Sequence, residues 1–326
     1  MRYTRLVTNP SNQPRTVPAA LTRGRIAVDT FSSTWLAQGN PAWPEETATV
    51  TLLMSAYPEV RYCAFTHHEE KRVGADWLWW FWDSRTREAF GVLAQAKNVK
   101  RNGSRYSIDY TYNKGDQLET LLNAAYELRL PAIYVLYCGN LDYRCQLHCD
   151  QEHSDPIACT RRPEASVSVL PALLAQEVSK NEPAATLAAA SMHVAVPLED
   201  ITSWTQQPQL RPPVRQLDRE VLEFLALPQE GARLVAKRLL AVLYERRQRG
   251  HYWASAPGTT RLDLPDAVFS GPLPDDQGHF SRPYYPHVLR GLRRSLPDYV
   301  QRSMQTHQMP EGPGFDGMDG MTIVMV

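Results

Sequence analysis

Hydrophobic and polar positions along the 326-residue chain change period several times, and each change marks an element. Residues 1–24, with three prolines and scattered Asn, Ser and Thr, predict an irregular lead-in. A first helix is predicted over 27–38 and stops at Gly39-Asn40-Pro41. The next begins at Pro44, with Glu45 and Glu46 in the turn where the helix dipole favours negative charge. Val50, Leu53, Met54 and Tyr57 mark one face of it, and Pro58 closes it. YCAFTHHEE, 62–70, predicts a strand running into a loop.

GADWLWWFWDSRTREAFGVLAQAK, 74–97, predicts a β-hairpin turning near Ser84 to Arg87. Trp77, Trp79 and Phe81 then point one way and Leu78, Trp80 and Trp82 the other, so the strand is expected to be covered on both faces. A turn centred between Arg85 and Thr86 sets Asp76 opposite Gln95, with Lys97 on the same face. After a polar loop at 98–115, Asp116 predicts an N-cap, and Leu118, Leu121, Leu122 and Ala125 have helical spacing. Pro131 ends that helix, and AIYVLY, 132–137, predicts a buried strand. The order strand, helix, strand implies a parallel crossover.

Further along, 183–191 reads as helix, MHVAVPL at 192–198 as strand, and QPQLRPPVRQ at 207–216 as linker. Residues 217–249 are strongly helical, and 251–326 is punctuated by Pro and Gly, closing on DGMDGMTIVMV as an edge strand. No internal repeat is present. The expected organisation is a lead-in at 1–25, an α/β domain with a mixed sheet flanked by helices at 26–205, and a linker plus mainly helical region with a Gly/Met-rich tail at 206–326.

Composition narrows the class. With 43% apolar and 21% charged residues the chain is of ordinary soluble type, and no run approaches a membrane span. No signal peptide is recognisable at the start, so the expected compartment is the cytoplasm. A formal net charge of +0 excludes nucleic-acid binding through the whole surface and leaves local basic stretches, at 97–105, 245–250 and 289–294, each of which also reads as solvated surface. Cys138, Cys145, Cys149 and Cys159, with His148 and His153 among them, invite a structural zinc reading. The lack of any C-x-x-C pair favours ordinary core and loop cysteines, reduced in that compartment.

One end of the hairpin thus gathers a carboxylate (Asp76), an amide (Gln95) and an ammonium (Lys97). Glu46 stands in line with the stripe 50, 53, 54, 57 of its helix, so it is expected to face the core, with Glu45 in solvent. Oxygen donors of this kind suit Mg2+, which keeps waters that a phosphate can replace, and a neighbouring lysine can act on the attacking water or on developing charge. An Asp capping a turn and a Lys snorkelling from a strand end is the structural alternative.

The block order of helix Glu, Asp opening a strand, short turn, strand ending in Q-A-K, helix and strand resembles the PD-(D/E)XK restriction-endonuclease-like superfamily. GADWLWW and VLAQAK are similar to its Q-x-K, Mrr-like members, over about residues 45–140. The resemblance implies a restriction-endonuclease-like fold and a metal-dependent nuclease using Mg2+ or Mn2+. It makes Asp76, Gln95, the Ala96 carbonyl and Glu46 the metal site, Lys97 the catalytic lysine, and Glu70 an acidic neighbour. Gln95 stands where the family more often has an acid, which removes a negative charge. Nucleic acid, in the first place DNA, is the implied partner, with Lys100, Arg101 and Arg105 positioned to hold its backbone. A bacterial restriction or anti-phage role is implied too, and a homodimer stays open. The rival reading is a catalytically silent nucleic-acid- or protein-binding module on the same scaffold.

Overall fold

The computed structural model describes residues 16–39, 43–64, 75–102, 105–111, 117–147, 161–203, 207, 209–211, 217–249, 258–310, 315 and 318–326. The chain opens with two helices packed on each other, α1 (Val17–Ala37) and α2 (Glu45–Ala56), then strand β1 (Val60–Ala64). Next come β2 (Trp77–Trp82), β3 (Ala89–Asn98), a short ribbon of β4 (Lys100–Asn102) and β5 (Arg105–Ser107), α3 (Gln117–Glu127) and β6 (Ala132–Tyr137). The middle holds α4 (Leu141–Gln146), α5 (Arg161–Glu164), β7 (Val167–Pro171), α6 (Ala172–Asn181), α7 (Leu187–Val194), β8 (Val196–Pro197) and a 3-10 turn at Leu198–Thr202. The last third supplies α8 (Arg219–Ala226), α9 (Gly231–Arg249), β9 (Thr259–Thr260), β10 (Leu273–Pro274), α10 (Tyr284–Leu289), β11 (Leu292–Arg293), α11 (Asp298–Thr306) and β12 (Gly320–Met325).

These form an α/β protein around an eight-stranded mixed sheet in the order β1-β12-β2-β3-β6-β7-β8, with β11 added to β3. Trp77 pairs with Ala94 and Trp82 with Ala89, the register that a turn centred between Arg85 and Thr86 requires. β6 lies parallel to β3 after the α3 crossover, as expected. All ten residues of β3 are buried, and so are the first five of β2, because helices such as α2, α3 and α9 pack against these strands. Trp80 lies over Gly91, its partner across the ladder, where a Cβ would collide with the indole; the glycine makes room for the ring.

Several expectations need correction. α1 begins ten residues before the expected start, inside the supposed lead-in. Thr16 caps it by accepting from the Ala19 N–H, and Pro18 sits in the first turn, where its missing N–H costs nothing. Val17, Ala20, Leu21 and Val28 are buried on one row. The buried face of α2 is Ala48, Thr49, Leu52, Leu53 and Ala56, whereas Val50, Met54 and Tyr57 are exposed. The strand expected at 192–198 shrinks to Val196–Pro197, and α7 runs on through Val194. β7 and α6, joined at Pro171, were not anticipated.

The largest correction concerns the tail. β12 is not an edge strand: it lies between β1 and β2, antiparallel to the first and parallel to the second. An uncharged strand of this kind, buried at five of its six positions, belongs in a sheet interior. The hydrophobic core accordingly runs without a break from Val17 to Val324, and the boundary expected at 205/206 separates nothing. α8 and α9 do occupy the helical stretch at 217–249, but α9 packs on β2 and β3 as part of the same core. Leu210, within the expected linker, is buried, and its N–H donates to the Leu225 carbonyl; residues 212–216 lie outside the described residues, as do Glu70 and Asp116. Among the described residues no helix is long and apolar enough to cross a membrane.

Candidate active site

Five chain segments end at one cleft of about 330 Å³: the start of β2, the end of β3, the residues just before β12 and the N-termini of α2 and α3. Asp76, one residue before β2, is half-buried and lines this cleft. Its N–H donates to the Ala94 carbonyl at 3.1 Å, continuing the hairpin ladder, and its carbonyl accepts from Asp319 N–H at 2.7 Å and Gly320 N–H at 3.1 Å. Gly320 permits that junction, since a Cβ there would overlap the Trp77 ring. The backbone on both sides of Asp76 is thereby held by two neighbouring strands, which fixes the direction of its side chain.

The Asp76 carboxylate accepts from the Ala96 N–H at 2.7 Å, and the Gln95 side-chain amide donates to both its oxygens, each at 2.7 Å. The same amide N–H2 reaches the Ala96 carbonyl oxygen at 3.3 Å. One nitrogen therefore sits among three converging oxygens, and the Gln95 oxygen, buried, has no partner among the described residues. The sequence expectation had that oxygen turned toward the metal. A carboxylate can only accept or share a proton, so the amide presents its donor end instead.

Burial raises the Asp76 carboxyl from the ordinary 3.8 to about 8; the Ala96 N–H opposes this, and the negative charges of Glu45 and Asp319 push further upward. Three acidic side chains thus bear on one point. Lys97, on the same face of β3 as Gln95, lines the cleft and is buried at 8% exposure, with no hydrogen-bond or ion-pair partner for its ammonium among the described residues. The ammonium keeps access to the cleft, where water or an anion can meet it.

Glu45, not Glu46, is the helix carboxylate tied to this site. It accepts from the Asn98 N–H at 3.0 Å, and the Asn98 side chain donates to the Trp43 carbonyl at 2.6 Å, pinning the start of α2 to the end of β3. Glu46 is exposed and reaches only the cleft lining. The reversal follows from the face of α2 that is buried, one step around from the one expected. Asp319 was missed altogether, although an acid placed directly before an apolar strand repeats the pattern of Asp76. Gln117, at the first position of α3, also lines the cleft, with its side-chain oxygen buried and without a partner among the described residues. Two helix N-termini therefore border the opening.

Lys100 lines the cleft, while Arg101 and Arg105 are exposed on the β4–β5 ribbon, where Arg101 pairs with Tyr106. The expected loop is a two-stranded ribbon, and Tyr106 stacks on Tyr143 with ring centroids 3.8 Å apart. The basic stretch at 245–250 is structural: Arg246 pairs with Glu177 and Arg247 with Asp276. Of the cysteines, Cys145 is exposed, and Cys138 is buried with its thiol pushed up to about 12 by desolvation, unlike a metal-bound thiolate. Cys149, Cys159, His148 and His153 lie outside the described residues.

Among the described residues no three His, Cys, Asp or Glu side chains form a metal cage. The donors beside Asp76 are instead all oxygens: its own carboxylate, the Ala96 carbonyl and, with the amide turned, the orphaned Gln95 oxygen. That set fits a hard divalent cation of the Mg2+ kind, which is commonly held by one or two carboxylates and retains several waters.

Fold and site together define an α/β protein with an acidic, lysine-bearing cleft at the strand ends of a mixed sheet. The chain belongs to DUF6615, a family of unknown function whose model matches residues 24–324. That span reaches from α1 into β12 and so includes every segment of the cleft. No curated protein matches the chain.

Proposed function

We propose that this protein hydrolyses phosphodiester bonds in nucleic acid with the help of a divalent cation, Mg2+ or Mn2+. The observation that carries the proposal is the convergence in one cleft of Asp76 and the Lys97 ammonium, which has no partner among the described residues. Asp76 and the Ala96 carbonyl would hold the ion, with Glu45 and Asp319 supplying negative charge beside them. Such an ion would supply Lewis acidity to the phosphoryl group and to the attacking water.

The chain's own groups do the rest. Lys97 offsets charge developing on the phosphoryl group or holds the proton of the attacking water. Lys100, Arg101 and Arg105 hold the backbone that leads to the cleft. The resemblance to Q-x-K nucleases supports DNA as the substrate and a bacterial restriction or anti-phage role.

A silent binding module is the second reading, and one observation favours it: both Asp76 oxygens already accept from the Gln95 side chain, so the carboxyl is occupied within the protein. Incubating the protein with plasmid, single-stranded DNA and RNA, with and without Mg2+ or Mn2+, separates the two. Cleavage that requires the cation supports hydrolysis. Retention of nucleic acid without cleavage under every condition supports the silent module.

A further inference from the structure

A second cavity, of about 570 Å³, opens between the C-terminal end of α3, the segment 260–264 and α10. Four arginines line it, Arg129, Arg261, Arg282 and Arg290, against two carboxylates, Glu127 and Asp263, both exposed. Arg290 is buried at 8% exposure, inside the stretch 289–294 that the sequence marked as basic. Its guanidinium donates to the Leu130 carbonyl at 3.0 Å and to His287 Nδ1 at 3.0 Å. Arg282 donates to the Leu122 carbonyl at 3.2 Å and the Asn123 side-chain oxygen at 3.0 Å. Neither has a carboxylate partner among the described residues. Both guanidinium groups also lie over the ring of the exposed Tyr126, at 5.2 and 5.6 Å from its centroid.

His287 sharpens the picture. A guanidinium can only donate, so His287 Nδ1 accepts and the ring proton sits on Nε2. That Nε2–H is buried with no partner among the described residues, in a side chain of 4% exposure that lines the cavity. Burial above all, with the neighbouring Arg282 and Arg293 adding to it, lowers the Arg290 guanidinium to about 9. The His287 Nε2–H therefore has no acceptor, and the Arg282 and Arg290 charges no carboxylate, among the described residues; a buried unmet donor is costly.

We propose that this cavity is a binding site for a small phosphate ester, its phosphate held by Arg282, Arg290 and the His287 Nε2–H. Forked guanidinium groups match the tetrahedral oxygens of a phosphate in pairs, and the volume lies within the range of small-molecule pockets, about 300–1,000 Å³. The site stands at the opposite end of α3 from Gln117 and does not depend on the nuclease reading.

The test is calorimetric titration of the full chain in EDTA with three probes: inorganic phosphate, adenosine 5′-monophosphate and a 5′-phosphorylated oligonucleotide. Saturable binding of either small probe, weakened at least about tenfold in both Arg282→Gln and the exposed-rim variant Arg261→Gln, is expected. Tighter binding of the nucleotide than of phosphate identifies a nucleotide as the source of the phosphate; equal binding identifies the phosphate group alone. No saturable binding of either small probe below about 10 mM, binding of the oligonucleotide only, or unchanged affinity in both variants overturns the proposal.

Discussion

The amide of Asp319 donates to the main-chain carbonyl of Asp76 at 2.7 Å, so a residue near the end of the chain is locked beside the first carboxylate of the cleft. The Asp319 charge also raises the Asp76 carboxyl. Asp319→Asn keeps the backbone bond and removes the charge. It should weaken Mn2+ binding by about ten- to a hundredfold, the usual scale for groups that support a metal ligand. Titration calorimetry checks this, and an unchanged affinity would make Asp319 a strand residue only.

Asp76 gives the protein a defined pH dependence. Its folded value of about 8 lies above the ordinary 3.8. Below the ordinary value the group is protonated in both states and its contribution to stability is fully present. As pH rises toward about 8, the unfolded chain ionises while the folded one holds its proton, so stability is progressively lost. Asp76→Asn removes that loss. In EDTA, urea unfolding should show the variant gaining on wild type between about pH 5 and about pH 8; a gap independent of pH would contradict the burial argument.

Glu45 and Glu46 are neighbours in sequence with different surroundings. Glu45→Gln retains an acceptor for the Asn98 N–H but removes the charge near Asp76, and should lower cation-dependent cleavage by about tenfold or more. Glu46→Gln, on an exposed side chain, should change it by less than about twofold. Equal losses in the two variants would put both carboxylates at the cation.

Much of this site was legible in the sequence, and the reasons it was not wholly so are physical. The polar DSRTRE between two apolar runs bracketed the hairpin turn tightly enough to fix the pairing, and with it the positions of Asp76, Gln95 and Lys97. The buried face of α2 was misread because Ala48, Thr49 and Ala56 carry little hydropathy signal, while Val50, Met54 and Tyr57 spend theirs on solvent. The run through Val167–Asn181 hid a strand and a helix, since both are buried and only Pro171 marks the change. β12 was recognisable as a strand but not as a central one. Its neighbours, Trp77–Trp82 and Val60–Ala64, lie more than two hundred residues away, and no local pattern encodes that pairing.

The β4–β5 ribbon carries Lys100, Arg101 and Arg105 on exposed positions next to the cleft. If it tracks a phosphate backbone, the Lys100→Ala, Arg105→Ala double variant should bind nucleic acid more weakly irrespective of sequence. The slope of log affinity against log salt should fall by about one per charge removed. An unchanged slope in filter-binding or anisotropy titrations would leave the ribbon as solvated surface.

The most direct measurement compares wild type, Asp76→Ala and Lys97→Ala for Mg2+-dependent cleavage and for Mn2+ binding on the same preparations. The account predicts that Asp76→Ala loses both cleavage and cation binding, and that Lys97→Ala cuts about a hundred- to ten-thousandfold more slowly while still binding the cation. Cleavage at the wild-type rate by folded Asp76→Ala and Lys97→Ala, or a wild type that neither binds a divalent cation nor cuts any nucleic acid, would contradict it.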